Sequence, residues 1–85
     1  MTAYRKEDIT ERQLDERRAL GLKMVRMLKG ETVQALADAI GIPKQTLSKY
    51  ENGIVRMPDK VAMAITLHYK LTAQQIDFLL WDNPH

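Results

Sequence analysis

The sequence predicts an all-α domain of about five short helices. Apolar residues recur every three to four positions along almost the whole chain, the period of a helix with one buried face. Gly30, Gly41 and Gly53, with Pro43, Pro58 and Pro84 in or beside the same gaps, cut that pattern into short segments. Nowhere does an alternation of period two last long enough to propose a strand.

The first helix is expected over roughly residues 11–29, with Leu14, Leu22, Val25 and Leu28 on its apolar side. Thr10 and Gln13 stand at capping-box spacing at its start. Val33, Leu36, Ala37 and Ile40 form a two-turn stripe in the second helix. The third starts near Pro43 or Lys44 and carries Leu47, Tyr50 and Glu51; the fourth carries Val61, Ala64, Ile65 and His68. Thr72 and Gln75 repeat the capping-box spacing ahead of a fifth helix with Ile76, Leu79 and Leu80. Residues 1–10 read as a flexible arm dispensable for folding, residues 11–82 as one domain, and residues 83–85 as a tail. Met24, Met27, Met57 and Met63 are expected as gap-fillers of a small core, and His68 as a partly buried packing residue.

Composition narrows the function. With 85 residues the chain is expected to be one domain. It has no cysteine, which removes disulfides and thiolate chemistry. Two histidines without a carboxylate cluster make no metal site, and no nucleophile–base pair, carboxylate dyad or phosphate loop is present. No enzyme activity, metal or cofactor is therefore expected. No apolar run reaches the roughly 18–20 residues of a membrane span and no signal peptide opens the chain, so a soluble cytoplasmic protein is expected. The net charge is +2. Residues 1–30 hold eight Lys/Arg against five Asp/Glu, residues 31–60 four against four, and residues 61–85 one against two. Nucleic acid is a permitted partner, although charge alone does not nominate it. The charges from Arg5 to Arg18 include Asp8–Arg12 and Arg12–Glu16 at i, i+4 and read as a solvated helix or arm.

The second and third helices are joined by Ala37-Asp38-Ala39-Ile40-Gly41-Ile42-Pro43-Lys44. Ala37 lacks bulk where two helices would cross closely, and Gly41 can take the positive φ of a sharp turn. Leu47 returns to the core of Leu36, Ile40 and Ile42, which leaves Lys44, Gln45, Ser48 and Lys49 on the outer face of the third helix.

Residues Val33 to Tyr50, followed by Glu51-Asn52-Gly53, resemble the helix-turn-helix of the lambda-repressor and Cro-like DNA-binding domains. The resemblance spans roughly Leu22 to Leu80. Its most specific part is Leu36-Ala37, Gly41, Leu47 and the Glu-Asn-Gly ending. It implies a five-helix fold that binds a double-stranded DNA operator with the third helix in the major groove. On this resemblance the base-reading positions fall on Lys44, Gln45, Ser48 and Lys49. Gln suits adenine N6/N7 and Lys suits guanine O6/N7. The phosphate-contacting positions fall on Thr32, Gln34, Thr46, Asn52 and Arg56. An Arg late in the first helix paired with the Glu of Glu-Asn-Gly corresponds to Arg26 and Glu51, a pair expected to be buried. The chain departs from the family pattern at Val33, where Gln is common, at Pro43, where Ser or Thr caps the third helix, and at Tyr69-Lys70-Leu71, which replaces Leu-Gly-Val.

Phe78, Leu79, Leu80 and Trp81 are four consecutive large apolar residues that one helix cannot bury against one core, and they predict a homodimer interface. The expected function is a sequence-specific regulator, most simply a repressor, acting as a homodimer on a two-fold-related operator. Phage repressors, restriction–modification controllers and antitoxins all match this kind of domain. The competing expectation is a protein-interaction module, such as an antitoxin bound to its toxin or a partner of another regulator, that keeps the fold without operator specificity.

Overall fold

The computed structural model describes residues 10–77. Five helices follow one another: α1 (Glu11–Leu28), α2 (Val33–Ile40), α3 (Lys44–Glu51), α4 (Asp59–His68) and α5 (Ala73–Asp77). There is no strand among the described residues. The expected all-α, five-helix class is the one observed. Phe78–Trp81, with the fifth-helix positions expected at Leu79 and Leu80, residues 1–9 of the expected arm at residues 1–10, and the expected tail at residues 83–85 lie outside the described residues.

Local chemistry sets each boundary. At α1, the Gln13 N–H donates to Thr10 Oγ1 at 3.2 Å and the Thr10 N–H donates to Gln13 Oε1 at 2.9 Å, the reciprocal capping box. Thr72 and Gln75 close the same box ahead of α5, at 2.8 and 3.1 Å. Thr32 caps α2, accepting from the Ala35 N–H at 3.0 Å. Four helices end in one closure, in which an N–H beyond the last turn returns to a carbonyl five residues back: Glu31 to Arg26, Ile42 to Ala37, Ile54 to Lys49, Leu71 to Thr66. The residue preceding each returning N–H is left-handed. It is glycine at Gly30, Gly41 and Gly53, and a lysine at Lys70, with φ 53°. Lys70 is thus the residue that meets the strain where the lambda-like pattern has glycine.

The core is small and continuous. Leu36, Leu47, Met57 and Ile65 are sealed from solvent, with Ala19, Leu22, Ala37, Val61 and Ala62 around them. Val33, Ile40, Ile42, Tyr50, Tyr69 and Leu71 close its rim. The α2 helix packs on α3 and α4, and α1 packs on the same two helices. Ala37 is wholly buried, which fits its place where helices must approach closely.

Several expected core positions are corrected. Leu28 is 83 % exposed. It lies two steps of three beyond Leu22, and each step falls about 60° short of a full turn, so Leu28 has rotated about 120° off the buried face. Met27 and Met63 also face solvent and Met24 is half-buried, so Met57 alone of the four methionines fills the core. On α4 the buried residue beside Val61 and Ile65 is Ala62, and Ala64 is half-buried. His68 packs its ring edge on Tyr69, with centroids 4.8 Å apart, and its Nε2 stands 3.1 Å from the Glu31 carboxylate. This contact ties the end of α4 to the turn between α1 and α2.

Candidate nucleic-acid interface

The turn between α2 and α3 fixes how α3 is presented. Gly41 caps α2 in the left-handed region at φ 79°, and its N–H donates to the Ala37 carbonyl. The Ile42 N–H reaches the same carbonyl at 3.0 Å, so the chain reverses within two residues. Pro43 then opens α3 with no side-chain cap; its carbonyl accepts from Thr46 and Leu47, both at 3.1 Å.

Two anchors hold α3 against the core. Leu47 is fully buried and Glu51 is nearly so. Arg26 Nε donates to Glu51 Oε2 at 2.7 Å and Nη2 to Oε1 at 3.0 Å, a bidentate pair between α1 and the last turn of α3. Arg26 Nη1 also donates to the Glu31 carbonyl at 2.7 Å. The hydrogen bond to Glu51 raises the Arg26 pKa further above its ordinary value, against the opposing effect of burial. Beside it, burial first and the Glu31 charge second push the Tyr69 phenol up to about 12.

With Leu47 and Glu51 turned inward, the opposite side of α3 faces water. Lys44, Gln45, Lys49 and Asn52 are exposed, and Ser48 and Thr46 are half-buried. Gln45, Lys49 and Asn52 follow one another at i, i+4, i+7 along one line. Lys44 and Ser48 flank them at i, i+4. The four expected base-reading residues therefore lie on one continuous surface, at the level of geometry.

The five expected phosphate contacts are less uniform. Thr32 is exposed at the start of α2, with its oxygen used as the cap and its hydroxyl hydrogen left to donate. Asn52 is exposed beside Ser48, and its Nδ2 donates to Ser48 Oγ at 3.3 Å. Thr46 stands half-buried in the first turn of α3. Gln34 is exposed but donates through Nε2 to Asp38 at 2.8 Å. Arg56 is bound to α1: its Nε donates to Asp15 at 2.5 Å, and Glu11 lies 3.5 Å from Nη2. The Asp15 hydrogen bond raises the Arg56 pKa.

Three participants escaped the sequence reading. Asp15 and Arg18, read there as part of a solvated charge run, are largely covered. Arg18 donates to Asp59 at 2.9 Å and to the Met57 carbonyl at 3.1 Å, pinning the loop after α3 onto α1. Lys23 reaches across from α1 to Asn52 Oδ1 at 3.2 Å. Its signal was available: Lys23 and Arg26 sit at i, i+3 on α1, as Asn52 and Glu51 are adjacent at the end of α3. The Arg12–Glu16 pair is present at 3.2 Å, exposed on both sides.

No group of three metal-ligating side chains occurs among the described residues, and no described helix is long and apolar enough to cross a membrane. What these residues offer is a helix anchored on its inner side by Leu47 and the Arg26–Glu51 pair, displaying cations, an amide and a hydroxyl outward. Together with the tight α2–α3 turn, this defines a DNA-binding helix-turn-helix module. A helix-turn-helix family model matches residues 22–73, more than half of the chain, and the protein belongs to that family. No curated protein and no solved structure matches the chain.

Proposed function

We propose that the protein is a sequence-specific, lambda-repressor-like regulator of transcription that binds a two-fold-related operator as a homodimer, most simply as a cytoplasmic repressor. In this reading α3 enters the major groove, and Lys44, Gln45, Ser48 and Lys49 meet base edges. Thr32, Thr46 and Asn52 fix register on the sugar–phosphate chain. Gln34 and Arg56 join them by exchanging Asp38 and Asp15 for phosphate. The apolar run Phe78–Trp81 joins the two copies and sets the two α3 helices about 34 Å apart, one turn of duplex.

The observation that carries this reading is the way α3 is held. Its inner side is locked by Leu47 and by the Arg26–Glu51 pair, while every residue of its outer line is polar and open to solvent. A rigid polar helix face fits groove reading, because docking then orders few side chains and no backbone. Selection of bound duplexes from a random pool tests it. The expected product is an inverted repeat with half-sites about 10 base pairs apart, bound more weakly as salt rises. A pool that gives no consensus at any salt overturns it.

A second reading, a protein-interaction module of the antitoxin type, draws on the carboxylates that occupy Gln34 and Arg56. It takes over if the selection fails.

A further inference from the structure

We propose that Lys23, on α1, belongs to the DNA-contacting surface: its ammonium orients the Asn52 amide, sets Ser48 as a hydrogen-bond donor, and itself faces a phosphate. The inference rests on the DNA-binding reading and adds to it a residue from a different helix.

The chain of contacts runs from α1 to the outer face of α3. Lys23 Nζ donates to Asn52 Oδ1 at 3.2 Å, and Asn52 Nδ2 donates to Ser48 Oγ at 3.3 Å. An ammonium can only donate, so it requires the oxygen of the amide and turns the NH2 group toward Ser48. Ser48 Oγ then accepts from Asn52, which leaves its own hydrogen to donate outward. Toward a base edge, that hydrogen suits an acceptor such as purine N7, guanine O6 or thymine O4. Without Lys23 the amide is free to turn over, and Ser48 loses its fixed sense.

The charge of Lys23 is placed differently from those of its neighbours. Arg12 faces Glu16, Arg18 faces Asp59, Arg26 faces Glu51 and Arg56 faces Asp15. Lys23 instead hydrogen-bonds a neutral amide that is exposed at the end of α3. Two of its three donors remain for an incoming anion. Lys23 is half-buried and held by its bond to Asn52, so part of its rotamer entropy is already spent in the free protein. One turn further along α1, the Arg26–Glu51 pair fixes the register that brings Lys23 to Asn52.

The test uses the full chain, a duplex selected from a random pool and a scrambled duplex, each titrated over a series of NaCl concentrations. Variants are Lys23→Met, Lys23→Arg and Ser48→Ala. Lys23→Met should flatten the dependence of log affinity on log salt by about 0.9 per half-site on both duplexes, roughly a threefold change over a fourfold rise in salt. It should also lose preference at the base pair that Ser48→Ala loses. Lys23→Arg, which keeps the charge and the donors, should restore the slope. A structural role alone would shift the melting temperature without moving the slope. An unchanged slope in Lys23→Met, or a base preference that survives there but not in Ser48→Ala, overturns the inference while leaving the DNA-binding reading in place. If the wild-type chain binds neither duplex, both fall together.

Discussion

Glu51→Ala should cost this domain a large share of its stability. The carboxylate side chain is 4 % exposed and its Arg26 partner 10 % exposed, so the pair sits out of water. The substitution deletes two charge-assisted hydrogen bonds, at 2.7 and 3.0 Å, each contributing about 1.5–3 kcal/mol. It leaves the guanidinium with the Glu31 carbonyl as its remaining hydrogen-bond partner of the three contacts given by its nitrogens. Stranding one member of a buried pair costs about 3–5 kcal/mol. The nearby Glu31 charge offsets some of this, which places the expected loss near the lower end, about 3 kcal/mol. A domain of this size is stable by roughly 5–10 kcal/mol, so the loss is about 30–60 % of the total. It corresponds to a fall of about 12–24 °C in melting temperature. Thermal and urea unfolding followed by circular dichroism measure it, and an unchanged urea m-value marks a change in stability alone. Replacing both partners, Arg26→Met with Glu51→Met, should recover much of the loss, because no charge is then stranded. If Glu51→Ala melts within a few degrees of the wild type, the pair is solvated and the argument for a rigidly anchored α3 is refuted.

Other outcomes follow from the same geometry. Lys70→Gly should raise stability by about 0.5–1 kcal/mol, since Lys70 holds a left-handed φ of 53° that glycine adopts freely; a lower urea midpoint would contradict this. Above pH 10 the domain should lose stability through Tyr69. Its folded pKa is pushed up to about 12 from 10, so below pH 10 both states keep the proton and the full contribution is present. Between pH 10 and about 12 the unfolded chain ionises first and the stability is lost. Tyr69→Phe should flatten that decline in urea midpoints, and an unaltered decline would show that Tyr69 titrates as an ordinary phenol. The salt-slope change for Lys23→Met stands as the test of the α1 contact described above.

The parts of the fold that were legible in the sequence are the local ones. Capping by Thr10 and Thr72, and the turn at Gly41, depend on residues within a few positions of one another, and the helices begin and end where those residues stand. The stripe of α2 and the inward line of Leu47 and Glu51 were legible for the same reason, and with them the outward face of Lys44, Gln45 and Lys49. Long apolar patterns were less informative. Leu28 and Met63 continue an apolar run but have rotated off the buried side, which sequence spacing shows only once the face of the helix is known. Contacts distant in sequence gave no local signal. Arg56 meets Asp15 and Arg18 meets Asp59, each 41 positions apart, so Arg56 reads as a free cation until the loop after α3 is laid against α1. Lys23 meets Asn52 29 positions away, and only its spacing from Arg26 on α1, matched to the Glu51–Asn52 pair, hints at that contact.

Reading of bases by α3 is the central claim, and Gln45→Ala tests it most directly. Gln45 lies in the first turn of α3, exposed and on no apolar stripe, so the substitution should leave folding intact. Binding of wild type and variant is measured by salt titration on a selected duplex and on a scrambled one. The expected result is a loss of roughly 1–3 kcal/mol per half-site on the selected duplex, relaxed preference at one base pair, and nearly unchanged affinity for the scrambled duplex. Equal loss on both duplexes would contradict base reading by Gln45, and a wild-type chain that does not distinguish the two at any salt would contradict operator recognition itself.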